Sequence, residues 1–242
     1  MKRMIVAGIF SSLISYGQPP ISVLSWASGQ IESVAIPQKM ADIGNPALVL
    51  PFSIQAHVQP TLPGFRSMTA QATGSGSTLG WSIELGTRGN TLLAHQRMRL
   101  GISAQKDRFL IGIRGGLHVW QHQHPDQPTV WLPSFEFGAI YHMSSQWQTG
   151  FFAGGDASTR FWCMGIAYQP FPEWRCQLEW NTGFRGGVHY FWRPEWIFHA
   201  GVVQRSLRTG ITWNFHPWRL GAAIARWPEG WITSTYSLVY QP

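Results

Sequence analysis

The chain has 242 residues, of which 12% are charged and 14% aromatic, with 26 glycines, 14 tryptophans and a formal net charge of +7. A soluble domain carries roughly 25% charged residues, so this composition excludes an ordinary water-exposed surface. The cations are almost all arginines spread along the chain rather than clustered on one segment, which excludes a nucleic-acid footprint.

At the start, Lys2 and Arg3 precede an apolar run, Met4 to Ile14, followed by the small residues Ser15 and Gly17. A basic start, an apolar core and small residues at a cleavage point predict a secretory signal peptide over residues 1–17. The run is too short to cross ~30 Å of hydrocarbon as a helix, and no later run reaches the ~18 apolar residues that a spanning helix needs. No cysteine stands near the cleavage point to carry a lipid anchor. Residues 18–50 do not alternate. Ser25 to Ser28, Ala35-Ile36-Pro37 and Ala41 to Ala47 are small, mildly apolar and interrupted by proline, and they read as a plug or a periplasmic segment.

From residue 51 to residue 242 apolar and polar side chains alternate with a two-residue period, the spacing that puts successive residues on opposite faces of a strand. Leu79, Trp81, Ile83 and Leu85 oppose Ser82, Glu84 and Arg88, and Met98, Leu100 and Ile102 oppose His95, Arg97 and Arg99. Phe109, Ile111, Ile113, Leu117 and Val119 oppose Arg114, Gly116, His118 and His122, and Phe135, Phe137, Ala139 and Tyr141 oppose Glu136, Gly138 and His142. Later runs repeat the split. Trp174, Cys176, Leu178 and Trp180 face away from Arg175, Gln177, Glu179 and Asn181; Val188, Tyr190 and Trp192 face away from Arg185, Gly187 and His189; Leu207, Ile211, Trp213 and Phe215 face away from Arg208, Thr212 and Asn214. The final run, Ile232 to Tyr240, carries Tyr236, Leu238 and Tyr240 on one face.

An apolar face suits lipid and a polar face suits an interior, and only a closed sheet satisfies every backbone group inside a bilayer. The expected fold is therefore all-β: a transmembrane antiparallel up-and-down barrel of about 14 strands, with 12 as the alternative, in a bacterial outer membrane. A soluble sandwich also alternates, but it places charge rather than aromatic rings on its outer faces. The turns, such as Lys106-Asp107, Ser144-Ser145, Gly155-Asp156-Ala157, Pro170 to Glu173 and Arg193-Pro194-Glu195, are short, and only His122 to Thr129 makes a longer loop. A diffusion porin normally carries longer outer loops.

Glu84, Arg88, His95, Arg97, Arg99, Arg114, His118, Glu136, Arg175, Glu179, Arg185, His189, His199 and Arg208 all fall on the inward phase. They read as an ionic, hydrogen-bonded network lining the lumen, in which the planar fork of arginine meets several partners at once. The basic excess also leaves open an anion-attracting pore. His118, His122, His124 and Asp126 are competent metal ligands, but their loop presets no coordination geometry, and no metal or other cofactor is assigned. Cys163 and Cys176 have opposite strand parity and should face opposite sides, out of reach of a disulfide. No nucleophile elbow and no glycine-rich phosphate loop is present, so catalysis is not expected.

Asn45-Pro46-Ala47 just before the first strand, followed by about fourteen strands, resembles the FadL-type fatty-acid transporter superfamily, most closely its shorter PorV/PorQ-like branch. Leu100-Gly101-Ile102, Phe137-Gly138-Ala139-Ile140-Tyr141, Arg208-Thr209-Gly210, Leu220-Gly221 and Ser237-Leu238-Val239-Tyr240 are spaced as in that branch. The resemblance implies a non-catalytic outer-membrane barrel with Asn45, Pro46 and Ala47 in the plug. It further implies an accessory or structural subunit of an envelope complex, serving type IX protein secretion or surface anchoring, with lipid and protein partners. The alternative it implies is FadL-like transport of a hydrophobic small molecule.

Overall fold

The computed structural model describes Ala47 and residues 53–62, 65–89, 93–122, 128–157, 160–180, 183–203, 206–226, 230 and 232–241, with the backbone alone at 53, 55, 57–62, 65, 66 and 122. The expected signal peptide, Asn45 and Pro46, and His124 and Asp126 lie outside the described residues.

Fourteen strands follow one another: β1 (Ser53–Leu62), β2 (Phe65–Ser75), β3 (Leu79–Gly89), β4 (Leu93–Lys106), β5 (Phe109–His122), β6 (Val130–His142), β7 (Trp147–Asp156), β8 (Arg160–Phe171), β9 (Trp174–Trp180), β10 (Phe184–Arg193), β11 (Trp196–Val203), β12 (Ser206–Phe215), β13 (Trp218–Arg226) and β14 (Ile232–Tyr240). Each pairs antiparallel with its sequence neighbours, and β1 pairs with β14 from Ile54↔Tyr240 to Val58↔Tyr236, closing the barrel. Closure leaves no sheet edge, the condition lipid imposes on a strand-built span.

Burial follows the two-residue period. In β4, Met98, Leu100 and Ile102 are about half exposed while Arg97, Arg99 and Ser103 are buried. In β11 the pattern alternates without a break from Ile197 to Val203. Exposed Leu, Ile, Met, Phe and Trp thus form the outer belt, and a closed barrel with such a belt is a transmembrane protein of the outer-membrane type. Val119 keeps the outward register, opposite Gln96 and Trp131, but is only 8% exposed.

The start of β1 and the end of β14 share one end of the barrel with tight turns, including Lys106–Phe109, Phe171–Trp174, Arg193–Trp196 and Phe215–Trp218. The longest connection, between His122 and Val130, lies at the opposite end. Short periplasmic turns and longer outer loops assign the first end to the periplasmic side. There, cross-strand aromatic pairs run around the outside: Phe109–Tyr141 at 4.5 Å, Trp147–Tyr168 at 4.1 Å, Trp174–Tyr190 at 4.6 Å, Trp196–Trp213 at 5.7 Å and Trp218–Tyr240 at 4.9 Å between ring centroids. Rings with one apolar body and one polar edge settle at the headgroup level, so this girdle marks the periplasmic interface.

Two sequence expectations need correction. Asp156, read as a turn residue, lies in β7, because its inward side chain meets His118 inside the barrel and the ladder continues to reach it. The interior is also not uniformly polar: Leu110, Ile140, Phe152, Ala167, Ile197 and Val239 are buried on the inward phase. Leu110 and Ile140 pack with Ala47, which is fully buried, near the end of the barrel that carries the tight β4–β5 turn. An apolar inner patch is stable only where apolar atoms cover it, and Ala47 supplies part of that cover.

Leu100 sits near mid-height of β4 with its side chain in the lipid belt. Leu100→Arg should cost about 2–4 kcal/mol in urea-driven unfolding from phospholipid vesicles, whereas Phe109→Arg, in the girdle, should cost about 0–1 kcal/mol. Equal costs at the two positions would contradict this depth assignment.

Candidate functional site in the barrel interior

The described inward-facing residues include eight arginines, at 88, 97, 99, 114, 175, 185, 208 and 219, against the four carboxylates of Glu84, Glu136, Glu179 and Asp156. The fourteen positions read from sequence as lumen-lining all point inward, but the structure resolves them into separate groups rather than one network.

The densest group lies on β3–β6. The ladder opposes Glu84 to Arg99 and Arg114 to Glu136, so alternate charges meet on neighbouring strands. Arg97 Nε stands 2.6 Å from Glu84 Oε1, and Arg99 spans both acids, with Nη2 at 2.5 Å from Glu84 Oε2 and Nη1 at 2.6 Å from Glu136 Oε1. Arg114 Nε donates to Glu136 Oε2, and Gln71 Nε2 donates to Glu84 Oε2 at 3.3 Å. Three guanidinium groups thus share two carboxylates, and all five side chains are at most 8% exposed. Glycines make the room: a Cβ at Gly116 would lie 2.7 Å from Arg99 Cγ, and one at Gly154 would lie 2.8 Å from Glu136 Cγ. Such a buried ionic group holds together because each carboxylate meets two guanidinium groups and Arg99 bridges both acids.

Above it, toward the long connection, Arg88 opposes His95 and Arg97 opposes His118. His95 stacks on Trp120 at 4.1 Å and meets the edge of His118 at 5.1 Å, and His118 Nδ1 lies 3.8 Å from Asp156 Oδ2. Among the described residues no group of three or more His, Cys, Asp or Glu side chains is placed to hold a metal ion.

The second arc runs over β7 and β9–β13. Arg175 Nη2 donates to Gln148 Oε1 at 2.8 Å, and Gln148 Nε2 meets His142 Nδ1 at 3.0 Å. Gln177 Oε1, His189, His199 and Thr212 Oγ1 form a buried row with successive separations of 3.0, 2.9 and 3.0 Å. Arg185 Nη1 donates to Glu179 Oε1 at 3.3 Å, and Arg219 Nε donates to Asn214 Oδ1 at 2.6 Å. Arg208 is 1% exposed on β12. Cys163 is buried on the inward phase while Cys176 takes the outward phase, and neither forms a disulfide. Sequence reasoning passed over Gln148 and Asp156, because β7 carries Phe151 outside and Phe152 inside and its alternation is blurred.

No protein-family model matches the chain, and no curated protein matches it. Solved structures do. The Pseudomonas putida toluene transporter TodX superposes with a TM-score of 0.67 at 10% identity, covering 93% of this chain and 98% of that one. The CymD monoaromatic hydrocarbon channel gives 0.66 at 10% identity over 92% and 97%, and the Ralstonia pickettii toluene transporter TbuX gives 0.60 at 10% identity over 93% and 97%. At such identities the likeness is one of fold: the chain shares the barrel fold of these channels.

Glu136→Gln leaves Arg99 and Arg114 short of charge and should destabilise the barrel by about 3–5 kcal/mol. The urea midpoint in lipid vesicles measures this, and adding Arg114→Met should recover part of the loss, the coupling expected of side chains in contact.

Proposed function

We propose that the protein conducts a hydrophobic small molecule across the outer membrane. The observation that carries this reading is a depression of about 250 Å³ on the outer face of the barrel, lined by Thr149, Met164, Gly165, Ile166, Leu178, Glu179, Trp180 and Phe184. Most of these are outward, apolar residues of β8–β10. Gly165 and Glu179, which oppose each other in the β8–β9 ladder, belong to the inward phase, so the depression reaches down to the sheet backbone. It adjoins β9, which at seven residues is the shortest described strand and falls below the ~9–11 that span a bilayer. An apolar hollow beside a low wall suits a solute partitioned into the membrane better than one arriving from water.

The fold neighbours named for toluene and monoaromatic hydrocarbons support a compact apolar cargo, and the inward Phe152, Ile140 and Ile197 offer it apolar surface within the barrel. The accessory-subunit reading, in type IX secretion or surface anchoring, rests on the PorV/PorQ-like motifs and the short turns. Nothing in the interior or among the fold neighbours favours it.

Cells producing the full-length protein should accumulate radiolabelled toluene faster than cells lacking it. Gly186→Leu is the diagnostic variant: a Cβ there meets only Leu178 Cδ2 at 3.5 Å and Phe184 Cε1 at 3.8 Å, so the added side chain can fill the depression without a clash. It should lower uptake several-fold with heat-modifiable mobility unchanged. Unaltered uptake, or purification from the native membrane in mild detergent with a stoichiometric protein partner, would overturn the transport reading in favour of the accessory one.

A further inference from the structure

The two rims of the barrel differ in charge. At the periplasmic end the turns carry Lys106, Asp107 and Arg108, then Glu173, then Arg193 and Glu195, so cations and carboxylates are mixed there. The other described carboxylates, Glu84, Glu136, Asp156 and Glu179, belong to the inward phase. At the opposite end, where β8 begins and β13 ends, Arg160 and Arg226 are exposed on the outward phase. Among the described residues no carboxylate shares that face of the outer rim with them.

The surroundings of both arginines are apolar. Arg160 opposes Gly155 in the β7–β8 ladder, a residue with no side chain, and on its other flank the described end of β9 stops lower, where Trp180 pairs with Met164. Trp162, the next residue on the same face, is 49% exposed, and Trp180 is 61% exposed. Arg226 lies between Leu207 and Ile232 on its two neighbouring strands, both more than half exposed. A guanidinium at the edge of hydrocarbon lays its stem along such neighbours and lifts its charge to the headgroup level. There it needs an anion that arrives with the lipid, since the protein offers none beside it.

We propose that Arg160 and Arg226 dock phosphorylated glycolipids of the outer leaflet, one at each of two sectors of the rim. A phosphate carried on a sugar accepts two parallel hydrogen bonds from one guanidinium, and it has no amine of its own to neutralise it, unlike the phosphate of a zwitterionic phospholipid. Its acyl chains would run down the exposed apolar residues beneath, Trp162 and Trp180 in one sector and Leu207, Ile224 and Ile232 in the other. Because β8 and β13 are not neighbours in the barrel, these are two seats rather than one patch. The mixed charge of the periplasmic rim gives the inner leaflet no matching preference for an anionic lipid. This docking surface lies outside the lumen and does not depend on the transport reading.

Native mass spectrometry of the full-length protein in detergent micelles, with lipid A as the added probe, tests the surface. Wild type should retain bisphosphorylated lipid A about tenfold more strongly than the dephosphorylated form, the loss expected when charge-assisted hydrogen bonds are removed. The double variant Arg160→Gln with Arg226→Gln should bring the phosphorylated form down to the dephosphorylated level, with heat-modifiable mobility unchanged. Equal retention of the two forms by wild type, or undiminished retention by the double variant, would overturn the proposal. Displacement of the lipid by excess inorganic phosphate would also overturn it, in favour of a site for free anions.

Discussion

The pairing of β1 with β14 is the constraint on which the rest of the molecule depends. In hydrocarbon an unpaired strand edge leaves a row of amide and carbonyl groups without partners, each costing several kcal/mol, so the sheet either closes or does not insert. Closure converts a simple alternation into two distinct environments. The outward phase dissolves in lipid and tolerates any apolar shape; the inward phase is confined, and its side chains must satisfy one another across a limited width.

That confinement explains the arrangement of charge. Glu84, Arg97, Arg99, Arg114 and Glu136 come from four consecutive strands, and the antiparallel register brings opposite signs level. Glycines at 116 and 154 leave the volume that the long side chains occupy. The second arc is organised differently. Imidazole, amide and hydroxyl groups on β9–β12 pass hydrogen bonds from strand to strand, and Arg175 has no carboxylate within ion-pairing distance among the described residues. One side of the interior is thus organised by ion pairs, the other chiefly by hydrogen bonds between neutral groups.

The alternation was legible in the sequence wherever the two faces differ strongly, as in β3–β6, where Glu and Arg alternate with Leu, Ile and Phe. It was less legible in β7, where Phe151 and Phe152 face opposite ways and Gly150, Ala153, Gly154 and Gly155 carry no face-defining side chain. The inward direction of each arginine and histidine followed from parity, but their grouping did not, since contacts between strands depend on register and hairpin length. Leu110 and Ile140 also escaped notice as partners of Ala47, because nothing in the local alternation of β5 or β6 announces a contact with a residue so distant in the chain.

The unequal lengths of the strands bear on the membrane as well as on the protein. β4 and β5 run for 14 residues each and β9 for seven. At ~3.3 Å per residue and a tilt of ~40°, β4 and β5 stand about 35 Å tall and the described part of β9 about 18 Å. A bilayer cannot match both heights at once. Lipids beside β9 must thin and tilt to meet the low wall, so the barrel imposes hydrophobic mismatch on one sector of its lipid annulus and leaves the other unstrained. The barrel therefore carries its own thinned patch of membrane wherever it diffuses.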